Sequence, residues 1–464
     1  MLNKRNNLIF NAFLIIGPLI TFTITTTMIF FTKNIDLVLL CLAPLFYYLI
    51  YIKIAKIHKY YMFPAIGLLN IICYIRYLII PLLYAICSDM HSTPNNIFSG
   101  VVLFLFEEIT VGLFVAYLTR YKYAKLANSG GIDNDNIKFS NLDSRIRFAF
   151  IVICLYALYI IISQPIYIGE FHFVFFNDNV SMDVNYGDAN TLIIELAKIV
   201  FPVILSAFFC EQYQTKHKNI YYFITIIIVL LFNVFIVKSL SRNTIIFPAV
   251  ASIYYLIRIF PQKKKTTLVI IGGISVIALS SLTIVKTNYG SGSHAINNIH
   301  TLLTTLQNYY MGPDDLALAI TAKNEFSASF TIHTVLNDLF YNVPGISHFF
   351  NGVDRTNTIF NIVKGTQSHV IPLIGQGAFY FGYFFSYLLN FICIGIVSVI
   401  DRNYYKARNL VEIYIYSYFA ITLMHSSIHN ISNFSASFFG RALPLIIISR
   451  LPVVVRRRIV PRKK

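Results

Sequence analysis

Long apolar stretches separated by short polar or basic segments recur from one end of the chain to the other. A run of about 20 apolar residues is the length that an α-helix needs to cross the hydrocarbon core of a bilayer. The pattern predicts about twelve transmembrane helices, with boundaries good to a few residues. The predicted spans are Leu8–Phe31, Leu37–Tyr51, Tyr61–Cys87, Ile97–Leu118, Phe148–Ile168, Thr191–Cys210, Ile220–Val237, Ile245–Ile259, Thr267–Val285, Ile374–Ile400, Leu410–Met424 and Phe434–Val455.

The basic residues give these spans an orientation. Most Lys and Arg fall in alternate connecting segments, as the positive-inside rule requires of cytoplasmic loops, and both termini are then cytoplasmic. The first span follows a basic start and is too long for a removable signal, so we expect it to stay. Three regions result: a bundle of nine spans over 1–285, a large extracytoplasmic loop over 286–373, and three spans with a basic cytoplasmic tail over 374–464.

Composition supports this all-α membrane class and removes one alternative. Apolar residues make up 56% of the 464 positions and charged residues only 12%, about half of what soluble domains carry. The net charge of +17 is explained by the cytoplasmic loops, so we expect a lipid bilayer as partner and no nucleic acid. With 32 Tyr and no Trp, tyrosine must supply any aromatic belt at the membrane interface.

Several classes of chemistry have no sequence signal. The six cysteines lie in or beside apolar segments without a CxxC pair, which argues against a disulfide framework or a cysteine zinc site. His425 and His429 share a helix face, but no third ligand is evident from spacing. The chain has no phosphate-binding glycine loop and no HExxH sequence. We therefore expect neither a metal nor another cofactor.

Three charged residues lie near the middle of predicted spans three and four, and Glu195 and Lys198, three apart in span six, can pair with each other on one helix. Arg76 and the pair Glu107 and Glu108 fall at similar depths on adjacent antiparallel helices. An unpaired charge in hydrocarbon is costly, so we expect Arg76 to pair with a glutamate inside the bundle. A structural ion pair and a proton or ion relay both fit this arrangement.

Arg242 stands on the extracytoplasmic side, against the prevailing charge bias, in the segment SLSRNT. A lone arginine there can anchor the interface with a snorkelling side chain. Alternatively, its planar and permanently charged fork can bind an anion such as a diphosphate.

The large loop contains helical pieces and groups capable of proton transfer. Asp314 and Asp315 open one helix, where they can stabilise the helix dipole or act as bases. His369 stands where the chain re-enters the membrane; it is either an interfacial histidine or a base for a hydroxyl nucleophile. Tyr309 and Tyr310 offer rings on which sugars can stack.

Together these features resemble the O-antigen and capsule repeat-unit polymerases (Wzy type), which are related to the O-antigen ligases. The resemblance rests on SRNTIIFP around Arg242, on YYMGPDDLALA in the large loop, and on QSHVIPLIGQGAFYFGYFFSYL at the late span. The overall plan of many spans with one large late loop also matches, and it implies a GT-C-like polytopic architecture.

The resemblance implies a glycosyltransferase that joins polyprenyl-diphosphate-linked oligosaccharide repeat units into surface polysaccharide at the outer face of the bacterial cytoplasmic membrane. A flippase and a chain-length regulator of the same pathway are possible partners. The alternatives are a lipid-linked oligosaccharide flippase and an O-antigen ligase. The expected catalytic residues are His369, Asp314 and Asp315. The expected substrate-binding residues are Arg242, Arg355, Tyr309, Tyr310 and Gln367.

Overall fold

The computed structural model describes thirteen stretches of the chain. They are residues 2–32, 35–61, 63–87, 94–123, 144–175, 188–215, 220–239, 241–288, 299–326, 331–341, 343, 355–366 and 369–450. Within them the protein is α-helical apart from one short pair of strands. Gln367, one of the expected substrate-binding residues, lies outside the described residues.

The helices and strands are numbered in chain order. The α-helices are α1 Leu2–Thr32, α2 Leu42–Tyr61, α3 Pro64–Tyr74, α4 Ile80–Ile86, α5 Ile97–Leu118, α6 Ser144–Ser163, α7 Ile166–Glu170, α8 Ala189–Thr215, α9 Ile220–Phe235, α10 Asn243–Ile259, α11 Lys264–Asn288, α12 Ile299–Tyr310, α13 Pro313–Phe326, α14 Ile332–Phe340, α15 Thr356–Lys364, α16 Leu373–Phe381, α17 Leu388–Lys406, α18 Leu410–Ser426 and α19 Ile431–Ser435. The strands are β1 Phe171–Phe173 and β2 Ile236–Lys238. Short 3-10 helices cover Ile35–Cys41 and Pro261–Lys263, and π-helical turns cover Ile75–Ile79, Thr119–Tyr123 and Ala436–Ala442.

Seven helical stretches of the described residues are long and apolar enough to cross a membrane. Three shorter apolar helices, Ile16–Phe31, Ile220–Phe235 and Asn243–Ile259, accompany them. The seven are Ile35–Ile52, Pro64–Ile86, Ile97–Tyr123, Ser144–Ser163, Ala189–Thr215, Pro261–Thr283 and Ile431–Arg450. By helix length and hydropathy the chain is a multi-pass membrane protein; the count of twelve spans stays a prediction.

The predicted tenth span is wrong as a single helix. The structure divides it into α16 and α17 at Gly382, whose φ of 75° ends α16 in a conformation that L side chains rarely adopt. The chain then turns back closely, because a Cβ at Gly377 would stand 2.0 Å from the Ser386 carbonyl oxygen. Only α17, with 19 residues and about 28 Å of helical rise, has spanning length.

A π turn interrupts the third predicted span at the point where Arg76 lies. Pro81 follows it and has no N–H to donate to the carbonyl of Tyr77, four residues earlier. Ile75–Ile79 takes up the irregularity as a single wide turn between α3 and α4. Such turns are frequent at functional sites, and here the turn places Arg76 in the interior, 2% exposed.

The strand pair was not expected from the apolar pattern. β1 and β2 run antiparallel, with Phe171 opposite Lys238 and Phe173 opposite Ile236. The ladder continues at both ends, where Ser239 N donates to Glu170 O and Val174 N donates to Phe235 O. It therefore holds Lys238 beside Glu170, and this position matters for the site.

Helices α12 to α15, which we call the cap helices, pack against the bundle rather than standing apart from it. Helix α13 lies so close to α5 that a Cβ at Gly100 would meet the Pro313 carbonyl oxygen at 2.6 Å. On the same interface Asn96 Nδ2 donates to Thr321 Oγ1 at 2.8 Å. A Cβ at Gly375 would meet the Ala319 side chain at 2.7 Å, so α16 is equally close. Small residues on both sides let the cap helices enter the bundle.

Candidate functional site around the turn between α12 and α13

The turn Tyr309–Asp315, which we call the corner, joins two cap helices in a tight and strained conformation. Met311 has a φ of 54°, which is costly for a residue with a side chain. Gln307 braces the turn: its Oε1 accepts from Asp314 N at 3.0 Å and its Nε2 donates to Asp314 Oδ2 at 2.6 Å. A Cβ at Gly312 would stand 2.6 Å from Gln307 Oε1, so a side chain there would displace Gln307 from these bonds. Strain retained by this much support is typical of functional sites.

The corner is hydrogen-bonded to the ion pair that was predicted inside the bundle. Arg76 Nη2 lies 2.6 Å from Glu107 Oε2 and also donates to the Met311 carbonyl oxygen at 3.0 Å. Asn390 of α17 donates to the other oxygen of Glu107 at 3.2 Å. Of the two glutamates, Glu107 makes the hydrogen bond with Arg76, whereas the carboxyl oxygens of Glu108 have no hydrogen-bond partner among the described residues.

Arg242 binds the corner directly. It is the N-cap of α10, its Nη1 donates to the Tyr309 hydroxyl at 2.7 Å, and its guanidinium carbon lies 5.5 Å from the centre of that ring. Its Nε is buried without a hydrogen-bond partner among the described residues. The guanidinium thus keeps donor capacity beside Tyr309, whose side chain is 38% exposed.

Further cations surround the start of α10. Lys238 Nζ lies 2.9 Å from Glu195 and 3.3 Å from Glu170, and Arg441 Nε donates to the second oxygen of Glu195. The spacing on α8 suggested that Lys198 pairs with Glu195. In the structure Lys198 Nζ instead donates to the Thr244 carbonyl oxygen at 3.4 Å. The partners of Glu195 come from distant elements instead. Lys238 and Arg441 balance the two carboxylates, and Arg242 at the start of α10 adds a third cation, so this cluster has an excess of positive charge.

The two aspartates predicted as catalytic are held by protein groups. Asp314 accepts from the Tyr84 hydroxyl as well as from Gln307, so both carboxyl oxygens are engaged. Asp315 is 2% exposed, and its Oδ1 lies 2.5 Å from Lys364 Nζ, which also donates to Asn308 at 2.8 Å. Burial raises the pKa of Asp315 to about 6, although Lys364 opposes the shift. The geometry suits positioning of the corner better than direct proton transfer.

His369 stands beside the same lysine and is more accessible. Its backbone is fixed by two asparagines of α15: Asn361 Oδ1 accepts from His369 N at 3.1 Å, and Asn357 Nδ2 donates to His369 O at 3.1 Å. The half-buried ring has a pKa lowered to about 4, first because of burial and second because Lys364 repels a proton. The imidazole is therefore neutral at physiological pH and able to accept a proton.

Arg355 belongs to a separate contact between the cap and α19, where its Nη2 donates to Ser432 Oγ at 3.4 Å. Its guanidinium stacks 3.6 Å from the ring centre of Tyr341, and its Nε lies 3.9 Å from Asp338. Asp338 is fully buried and accepts from the Thr356 hydroxyl at 2.5 Å and the Tyr380 hydroxyl at 2.7 Å. No described contact joins Arg355 to the corner, so the structure places it with the docking of the cap helices.

Sequence reasoning missed one neighbour of the corner and misjudged another. The rings of His425 and His429 stack with centres 4.3 Å apart, and the ring of His429 also lies against the Tyr309 backbone. The spacing showed a shared helix face but not what faces it. Tyr310 was expected on the sugar side with Tyr309, yet it is half-buried against the main core. Burial raises the pKa of its hydroxyl.

Among the residues that the structure describes, no group of three His, Cys, Asp or Glu side chains is placed to hold a metal ion. The arrangement combines a cationic cluster, an exposed aromatic ring and a neutral imidazole around one strained turn. Comparison with known proteins adds no identification: no family model, no curated protein and no solved structure matches the chain.

Proposed function

We propose that the protein is a glycosyltransferase that polymerises polyprenyl-diphosphate-linked oligosaccharide repeat units into surface polysaccharide. In this proposal the chain resides in the bacterial cytoplasmic membrane with both termini in the cytoplasm. The corner, Arg242 and His369 then face the extracytoplasmic side, where lipid-linked repeat units would be joined. The sequence resemblance to the repeat-unit polymerases supports this reading.

The single observation that carries the proposal is the cationic cluster at the start of α10. Lys238, Arg242 and Arg441 outnumber Glu170 and Glu195 by one charge in a partly buried site. An excess of fixed positive charge in such a place favours an anionic ligand. A lipid diphosphate has the matching charge, and a guanidinium fork binds phosphate oxygens in a bidentate manner. Tyr309 beside it provides a ring for the adjoining sugar.

The residues allow a balanced transfer step. His369 accepts the proton of an acceptor sugar hydroxyl while that oxygen bonds to the anomeric carbon of the donor. The bond between the anomeric carbon and the phosphate oxygen breaks, and the polyprenyl diphosphate leaves with the electron pair. Arg242 and the neighbouring cations stabilise the charge that develops on the leaving group. Asp314 and Asp315 hold the corner in position during this step.

Two other functions use parts of the same site. An O-antigen ligase would perform the same displacement with a different acceptor. A flippase is favoured by one observation, the buried group Arg76, Glu107 and Glu108, because intramembrane charges often mark transport pathways. The structured cap helices inserted into the bundle favour catalysis over the rocking motion of a transporter.

A gel of surface polysaccharide from a strain lacking the gene tests the proposal. Loss of the ladder of chain lengths, with a single capped repeat unit remaining, is the expected result. Loss of all surface sugar would contradict the polymerase and support a flippase. Full-length chains present only as lipid-linked precursor would support a ligase. Complementation with wild-type protein must restore the ladder in each case.

A further inference from the structure

Glu108 is a carboxyl group that the proposed transfer reaction does not use. It lies in the middle of α5, fully buried, one residue from the glutamate that pairs with Arg76. Neither of its carboxyl oxygens has a hydrogen-bond partner among the described residues. A charged carboxylate in that setting loses its hydration without compensation, whereas a neutral carboxylic acid loses much less.

The surroundings of Glu108 contain too little positive charge to keep it ionised. The π turn contributes Arg76, whose Nη2 is held by Glu107 on the helix of Glu108 itself. The other groups that face Glu108 are neutral hydroxyls and a thiol from α2, α3 and the π turn: Tyr47, Tyr51, Cys73 and Tyr77. From the cap, the charge of Asp315 also acts on Arg76. The guanidinium of Arg76 therefore interacts with the carboxyl groups of Glu107 and Glu108, and the charge of Asp315 acts on it from the cap.

We propose that Glu108 is a proton-binding site in the bundle, occupied at neutral pH, and that its occupancy controls the position of the corner. The link is Arg76, whose Nη2 is shared between Glu107 Oε2 at 2.6 Å and the Met311 carbonyl oxygen at 3.0 Å. When Glu108 loses its proton, two adjacent carboxylates attract the same guanidinium. Arg76 then turns toward them, and the carbonyl of Met311 loses its donor.

The consequence reaches the site where the substrate is proposed to bind. Met311 is 2% exposed and has a strained backbone, so loss of the bond from Arg76 removes one of the contacts that hold the turn. Tyr309, two residues away, carries the contact with Arg242. Deprotonation of Glu108 thus loosens the corner and separates Tyr309 from Arg242. This inference does not depend on which sugar, acceptor or reaction the site serves.

Infrared spectroscopy of the full-length protein in lipid nanodiscs tests the proton site. Subtracting the spectrum of Glu108→Gln from that of the wild type at pH 7 should reveal a carboxylic-acid C=O stretching band. Glu107→Gln, the matched change on the same helix, should instead weaken that band, because it leaves Arg76 free to hold Glu108 as a carboxylate. If Glu108→Gln fails to fold, Glu108→Asp should shift the band, and the wild-type band should disappear on raising the pH.

Loss of a carboxylate band in the Glu108→Gln difference spectrum would overturn the proton site. Displacement of the acid band by Na⁺ or K⁺ at constant pH would overturn it as well, in favour of a cation site.

Hydrogen exchange read by mass spectrometry tests the coupling to the corner. After correction for the intrinsic effect of pH, peptides covering the corner should lose protection in the wild type as Glu108 ionises. In Glu108→Gln the same peptides should stay protected over that range, while in Glu107→Gln they should be less protected at every pH. An identical pH profile in the wild type and Glu108→Gln would overturn the coupling.

Discussion

Arg242 and Tyr309 lie 67 positions apart in the chain, yet the Arg242 guanidinium donates to the Tyr309 hydroxyl at 2.7 Å. This bond ties the start of α10 to the corner and brings two separately predicted substrate residues into one place. It also sets the orientation of a fork that keeps donor capacity for an anion. The proposed binding of a lipid diphosphate depends on this pair.

Replacing Arg242 should therefore abolish most of the activity. For Arg242→Ala we expect the rate of polymer formation to fall by roughly 10² to 10³, the loss typical of removing one donor that stabilises a developing anion. Arg242→Lys should recover part of it, because a lysine keeps the charge but not the planar fork. The measurement is the rate of chain extension in membranes with matched protein levels.

Arg145→Ala is the control for this pair of variants. Arg145 is an exposed arginine in the first turn of α6, away from the corner, and its removal should leave the rate unchanged. Equal rates for Arg242→Ala and Arg145→Ala would remove Arg242 from the site.

Two substitutions at Tyr309 separate the contribution of its hydroxyl to activity from that of its ring. Tyr309→Phe deletes only the group that accepts from Arg242, so we expect a loss of about 0.5–1.5 kcal/mol, or a few-fold in kcat/KM. Tyr309→Ala also removes the exposed ring and should raise KM for the oligosaccharide further. Steady-state kinetics with both variants distinguish the two roles, and equal kinetics for both would show that the ring contributes nothing.

The pH dependence of the rate identifies the base. A base works only when deprotonated, so activity must fall as the pH drops through its pKa. His369 has a pKa lowered to about 4, whereas burial raises that of Asp315 to about 6. If His369 is the base, the rate should stay constant down to about pH 5 and then fall. A fall centred on pH 6 that disappears in Asp315→Asn would assign the base to Asp315 instead.

Because α13 lies so close to α5, adding a side chain at Gly100 should destabilise the protein. In Gly100→Ala the new Cβ meets the Pro313 carbonyl oxygen at 2.6 Å and the backbone nitrogen of Ala317 at 2.8 Å, neither of which can move alone. We expect a loss of about 1–3 kcal/mol of stability, as for other overpacked positions, and reduced activity because the corner shifts.

Gly273→Ala is the matched change on α11, where an added Cβ meets nothing within 4 Å. It should melt at the wild-type temperature in detergent. If Gly100→Ala melts at that temperature too, α13 does not pack on α5 as described.

Much of the fold follows from local sequence, because apolar length alone marks most of the helices. The division of the tenth span did not follow, since the pattern stays apolar across Gly382 and only its backbone conformation ends α16. The pairing of β1 with β2 was equally hidden: it joins segments separated by two helices and has no alternating pattern of its own.

The candidate site could likewise be predicted only in part, because local sequence shows residue types but not tertiary contacts. Residue types and the charge bias singled out Arg242, Tyr309 and His369 one at a time. Their interaction partners come from distant parts of the chain and could not be predicted from spacing. Glu195, for example, pairs with Lys238 and Arg441 of other elements rather than with Lys198 on its own helix. Which of Glu107 and Glu108 meets Arg76 depends on the rotation of α5, which neighbouring positions in sequence do not fix.

Reconstitution of the purified protein with one synthetic polyprenyl-diphosphate-linked repeat unit tests the central claim most directly. The account predicts products of increasing length, with one polyprenyl diphosphate released for each linkage formed and no nucleotide added. Intact substrate after incubation with a folded protein, or substrate moved across vesicle membranes without any new glycosidic bond, would contradict it.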